Sequence, residues 1–193
     1  MDRESGPIHS VIVSGTLSLI SKGESKKLEF KSTLCYDLKE KARKAHIEHA
    51  VLKTIAAFLN SEGGTLLIGV EDGGTIHGLD DDFKVLPKKG DPRDEFNKHF
   101  DNLISKNFGR HIHRLIHLDI ESIKSKLIAK IVVPRKAPEA VFLENKEKNN
   151  AEEFYIRLNA SSVSLSIAEA TNYIKDHWTP DPSNTRNRRK RLP

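Results

Sequence analysis

With 193 residues, 37% of them hydrophobic and 31% charged, the chain is the size of one domain with a modest core and a heavily charged surface. No apolar run approaches the ~20 residues that span a bilayer, residues 1–10 lack a signal-peptide succession, and a single cysteine, Cys35, excludes an internal disulfide and a zinc site of paired thiolates. A cytoplasmic protein that binds neither membrane nor zinc is therefore expected, and the net charge of +5 resides in Arg186, Arg188, Arg189, Lys190 and Arg191, which leave 27 basic residues against 27 acidic ones elsewhere.

In chain order, Val11 to Ile20 alternates weakly between Gly15 and Gly23 and predicts a strand or hairpin within an N-terminal extension, residues 1–23. Leu28 and Phe30 alternate with Lys27, Glu29 and Lys31, which predicts a half-buried strand. From about Glu40 to Asn60, Ile47, Val51, Ile55, Phe58 and Leu59 recur at helical spacing, and Gly63-Gly64 supplies a left-handed stop. Thr65 to Val70 has the length and composition of a buried strand, and Asp72-Gly73-Gly74 predicts a hairpin turn into Thr75 to His77.

Asp91 before Pro92 predicts a helix start, with Phe96, Phe100, Leu103 and Ile104 as the buried stripe and an end near Gly109. His111 to Glu121 and Leu127 to Val133 predict two strands about a polar turn, the second halted by Pro134. Val141 to Leu143 and Phe154 to Leu158 predict short strands around an exposed loop, Glu144 to Glu153. Ser166 with Glu169 makes a capping box that opens a helix to about Trp178, and residues 179–193 read as a basic tail, disordered when free.

The chemistry-bearing patterns are sparse. GxxxxGK[ST] is absent, Gly73, Gly74 and Gly78 do not fit GxGxxG, and no serine lies in GxSxG, so no nucleotide cofactor and no serine nucleophile are expected. His111, His113 and His117 alternate with Ile112, Ile116 and Ile120, which suits a solvated or nucleic-acid-facing strand better than a metal site. Glu24, Glu29, Glu71 and Asp72 flank strand ends. Converging carboxylates there would hold a hard divalent cation, whereas solvated turn residues are the plainer reading.

Three segments carry a family resemblance. Glu24-Ser25-Lys26-Lys27-Leu28-Glu29-Phe30-Lys31, then Ala56 to Asp72 with its Gly69-Val70-Glu71-Asp72 ending and Gly78-Leu79, resembles the Schlafen AlbA-type DNA-binding domain from about Glu24 to Ile174, which sets the expected domain at residues 24–178. Phe154-Tyr155-Ile156-Arg157 with Ala160-Ser161-Ser162 is similar to that family's closing motif, with Leu158-Asn159 where glycine is usual; Asn159 is able to take the same left-handed conformation. The resemblance implies a single α/β domain of Alba-like type, with a mixed sheet, two main helices and a C-terminal helix.

It also implies nucleic-acid binding, to RNA or DNA; the clustered charges then make Lys26, Lys27, Lys31, Arg157 and the tail residues Arg186, Arg188, Arg189, Lys190 and Arg191 the expected basic contacts. By likeness to animal Schlafen proteins it implies an Mg²⁺- or Mn²⁺-dependent endoribonuclease whose metal ligands fall on Glu24, Glu29 and Glu71, with Glu71 in place of an aspartate and Asp72 as the acid able to substitute. Those animal proteins join two lobes where this chain has residues for one, so a two-fold homodimer is expected. A non-catalytic DNA-binding or regulatory module and a protein-interaction module stay open beside the nuclease.

Overall fold

The computed structural model describes residues 8–178, with side chains from residue 15 onward, so the basic tail expected to bind nucleic acid lies outside the described residues. Helix α1 (Ile8–Lys22) precedes strands β1 (Leu28–Lys31), β2 (Tyr36–Asp37) and β3 (Ala42–Arg43), helix α2 (Ala45–Asn60) and strand β4 (Gly64–Ile68). Helices α3 (Asp80–Val85) and α4 (Pro92–Phe108), a 3-10 helix over Arg110–Leu115, and strands β5 (His117–Ile123) and β6 (Lys126–Val133) follow. Strand β7 (Leu143–Asn145), a 3-10 turn over Lys146–Lys148, strands β8 (Ala151–Leu158) and β9 (Ser161–Leu165), and helix α5 (Ile167–Trp178) complete the chain.

The main sheet is mixed and ordered β1-β4-β6-β5, with β1 parallel to β4 and the other pairs antiparallel. A second sheet is ordered β7-β8-β9, and β2 with β3 forms a small hairpin. This is the single α/β domain expected. The larger core unites Ile55, Phe58, Leu66, Ile68, Ile104 and Ile131 between the main sheet and α2 and α4. On the other sheet face Leu28, Phe30, Leu67, Val70, Ile123 and Ile128 form a second cluster, against which Leu17, Leu19 and Ile20 of α1 pack.

Several elements match local signals. Asp91 accepts the Arg93 N–H at 2.8 Å and caps α4, and Ser166 and Glu169 exchange capping bonds at the start of α5. Asn159 takes φ +54°, so it supplies the left-handed turn between β8 and β9. Asn60 closes α2 from inside the core: its side chain donates to the carbonyls of Val141 and Tyr155 and accepts the Val141 N–H.

Other expectations are corrected. Residues 11–20 are helical, because a weakly alternating apolar run fits either period and the sheet face beneath it selects the helix. α2 begins at Ala45 rather than near Glu40, since the Asp37 carboxylate accepts the N–H groups of Lys39 and Glu40, and Lys41 sits at φ +52°, which no right-handed helix passes through. His111 and His113 lie in the 3-10 helix, apart from His117 on β5, and His113 bonds Ser105 instead. Much of the loop expected over 144–153 is ordered as β7, a 3-10 turn and the start of β8.

The β7–β8 pairing holds an acid whose titration is predictable. Burial alone would push Glu153 up, but Lys148, Tyr155 and Asn145 all donate to its carboxylate and pull it to about 2 from the ordinary 4.5. A depressed carboxyl contributes stability that is present above the unfolded value and is lost as pH falls through the folded one. The stability difference between wild type and Glu153→Gln, followed by thermal melts, should therefore shrink as pH falls from 4.5 toward 2. A difference that stays constant over that window would contradict the assignment.

Candidate nucleic-acid interface

The closing motif folds back onto the first one. Arg157 on β8 has a fully buried side chain, and its Nη1 lies 2.7 Å from Glu29 Oε2. The same guanidinium donates to Ser162 Oγ at 3.0 Å, to the Ser25 carbonyl at 2.8 Å and to the Lys26 carbonyl at 3.3 Å, and it lies 4.9 Å over the Phe58 ring. Its backbone N–H is held by Ser61 Oγ. Arg157, expected to touch nucleic acid, is thus enclosed. With four of its five N–H groups committed to acceptors inside the fold and the side chain fully buried, this guanidinium is out of reach of a phosphate; Arg157 is a positioning residue.

What it positions is the turn before β1. The Ser25 N–H donates to the Leu28 carbonyl at 2.8 Å, and with both preceding carbonyls gripped by Arg157 the turn presents Lys26 and Lys27 outward. Their side chains are 52% and 60% exposed, and both reach the Glu62 carboxylate, at 3.0 and 3.2 Å. Lys31 is less free. Its ammonium lies 2.5 Å from Glu29 Oε1 and donates to the Phe30 carbonyl.

The half-buried reading of β1 is corrected by the same contacts, because Glu29 is buried with its charge matched by Arg157 and Lys31. Glu24 turns back along the free edge of β1, where Oε1 accepts the Phe30 N–H at 2.9 Å. Glu71 and Asp72 follow β4. Since β1 and β4 are parallel, these acids stand at the opposite end of the sheet from Lys26 and Lys27, roughly 13 Å of strand away, and the lysine pair is not beside them. Glu71 is nearly half exposed with His77 Nδ1 at 3.7 Å, and Asp72 is exposed.

This arrangement does not fit a divalent cation held by Glu24, Glu29 and Glu71. Both oxygens of Glu29 already face side-chain cations, and Glu24 is committed to a backbone donor. Among the described residues, the His, Cys, Asp and Glu groups whose ligand atoms gather within 4.8 Å are Cys35, Glu48 and His99. They serve the fold: Glu48 accepts from Arg43 and His99, while burial and the Asp82 carboxylate push the Cys35 thiol far up, away from the thiolate a metal needs.

Residues 24–166 match the family model described as Schlafen, AlbA_2, which takes in both motifs and the Glu29–Arg157 contact that joins them. The chain belongs to the Schlafen AlbA_2 family. Membership points to a nucleic-acid-binding domain. The fold is also similar to the crystal structure of the DIP2311 protein from Corynebacterium diphtheriae, with a TM-score of 0.56 and 15% identity over 90% of this chain and 33% of that one. The chain thus spans about a third of that protein's length, and the likeness concerns the fold. Among the described residues no helix of this AlbA_2 domain is long and apolar enough to cross a membrane.

The sequence did not single out Ser25 and Ser61 as partners of Arg157. Both lie within the quoted motifs, but nothing local distinguishes a serine that accepts from a buried arginine from one facing water.

Proposed function

We propose that this AlbA_2 domain is a nucleic-acid-binding module that engages the sugar-phosphate backbone through the Lys26–Lys27 turn. The observation that carries the reading is the buried Arg157 guanidinium, which fixes the carbonyls of Ser25 and Lys26 and so holds two exposed ammonium groups in one place, within a family that points to nucleic acid. Ordering long lysine side chains on binding costs entropy, and a rigid turn reduces the backbone part of that cost.

Fluorescence anisotropy with labelled structured RNA, single-stranded RNA and duplex DNA, each in Mg²⁺, in Mn²⁺ and in chelator, tests the reading. Binding should weaken linearly on a log-log plot against salt. The Lys26→Gln, Lys27→Gln double variant should lower affinity about tenfold and reduce the slope on duplex DNA by about 2, at about 0.9 per phosphate contact. Failure to bind any of the three would favour a protein-interaction module. Metal-dependent cleavage of a substrate would instead establish a nuclease and make Glu24, Glu29, Glu71 and Asp72 the residues to replace.

A further inference from the structure

The register of the main sheet gathers cations that the sequence scatters. Thr65 N–H bonds the Lys27 carbonyl, Gly64 pairs with Val133, and His117 pairs with Val132. One end of the sheet is therefore made by the starts of β1, β4 and β5 and the end of β6. Lys26 and Lys27 stand there before β1, Arg135 and Lys136 two and three residues past β6, and Arg114 three residues before β5. The strands in between are in close contact: a Cβ on Gly63, at φ +77°, would lie 2.2 Å from the Val133 carbonyl oxygen and 2.9 Å from the Arg135 nitrogen.

We infer that the nucleic-acid backbone runs along this end of the sheet, bound by Arg114, Arg135 and Lys136 in line with Lys26 and Lys27. The inference rests on the nucleic-acid reading above and extends it across the sheet. Arg114, Arg135 and Lys136 line one concavity of about 380 Å³ with Leu115 and Pro138. Arg114 and Arg135 are exposed and form no ion pair with any described residue, so their planar donor sets are available to phosphate oxygens.

Lys136 is already fixed in place. Its ammonium donates to the His177 carbonyl at 2.5 Å and sits 4.5 Å over the Trp178 ring, a cation at the C-terminal end of α5. Trp178 Nε1–H in turn donates to the Ala137 carbonyl, so the chain leaves α5 beside this concavity, and the sequence beyond carries Arg186, Arg188, Arg189, Lys190 and Arg191. The acids placed nearby are Glu62, shared between Lys26 and Lys27, and Glu139, which lies 3.5 Å from His111.

Length selects a polynucleotide over a single phosphate. Four strands at about 4.8 Å spacing set the row about 14 Å long, which is about four steps of one nucleic-acid strand at 3.4 Å each. Glu62 acts as an internal anion that holds the two lysines when no phosphate is present, and binding must displace it.

The test compares full-length wild type with the Arg114→Gln, Arg135→Gln double variant, using labelled duplex DNA and single-stranded RNA over a salt series. Affinity should fall at least tenfold at 0.1 M salt, and the slope on duplex DNA should drop by about 2. Glu62→Gln should change affinity the other way, tightening it about threefold by releasing both lysines. Lys88→Gln with Lys89→Gln, an exposed pair between α3 and α4 that does not line the concavity, removes the same net charge and should leave affinity within twofold of wild type. A double variant with wild-type affinity and slope overturns the inference while leaving nucleic-acid binding in place. So does an equal loss in the Lys88 and Lys89 control, which would show diffuse charge attraction. A wild type that binds neither probe, nor structured RNA, removes the functional reading and the inference together.

Discussion

Replacing Arg157 by alanine should lower the unfolding free energy by about 3–5 kcal/mol, the scale seen when one member of a buried ion pair is deleted. The guanidinium is fully enclosed, so the substitution leaves the Glu29 carboxylate, itself buried, with Lys31 alone, and strips the carbonyls of Ser25 and Lys26 of a donor. Arg157→Lys should recover little of this, because one ammonium cannot reach acceptors that the fork serves on several sides. Urea denaturation of wild type, Arg157→Ala, Glu29→Gln and the double variant checks the idea. The double variant should cost clearly less than the sum of the singles, since each single already breaks the pair. A loss below about 1 kcal/mol for Arg157→Ala would show that water replaces the guanidinium without penalty. The functional counterpart is that an Arg157→Lys protein, folded at low temperature, should bind nucleic acid more weakly than wild type although Lys26 and Lys27 are unchanged.

The second large effect is expected at Asp82, where alanine should cost on the order of 3–5 kcal/mol. Asp82 is fully buried on α3, and its two oxygens accept the backbone N–H groups of Leu34, Cys35 and Tyr36 as well as the Cys35 thiol. Burial pushes its carboxyl up while those donors pull against it, with a net rise. Removing it strands three N–H groups, two of them in fully buried residues, and each such donor is worth about 1–3 kcal/mol. Asp82→Asn should rescue only part of the loss, since the amide nitrogen meets donors with another donor. Amide hydrogen exchange provides the site-specific check: the Leu34, Cys35 and Tyr36 amides should lose protection first. Wild-type protection at those three amides in Asp82→Ala would mean that the 33–36 loop is held by packing instead.

The sequence by itself determined the features whose causes lie within a few residues. Asp91 next to Pro92 starts a helix because a carboxylate reaches the second following N–H and proline needs none. Gly63 and Asn159 take positive φ because their neighbours close tight turns there, and Ser166 with Glu169 caps α5 through two short loops of hydrogen bonds. The two motifs also sufficed to expect the family, since a fixed string of residues survives in one dimension. Tertiary structure alone decided the rest. An apolar run over 11–20 suits either period until a sheet face lies beneath it, and Glu29 reads as a surface residue until Arg157, 128 positions away, arrives to match its charge. The separation of Glu71 and Asp72 from the lysine turn follows from parallel pairing of β1 with β4, and the row joining Lys26 to Arg114 follows from antiparallel pairing of β6 with its neighbours. Strand register is set by which faces bury together across the whole domain, so the ends of the sheet, and the charges collected there, exist only once it has formed.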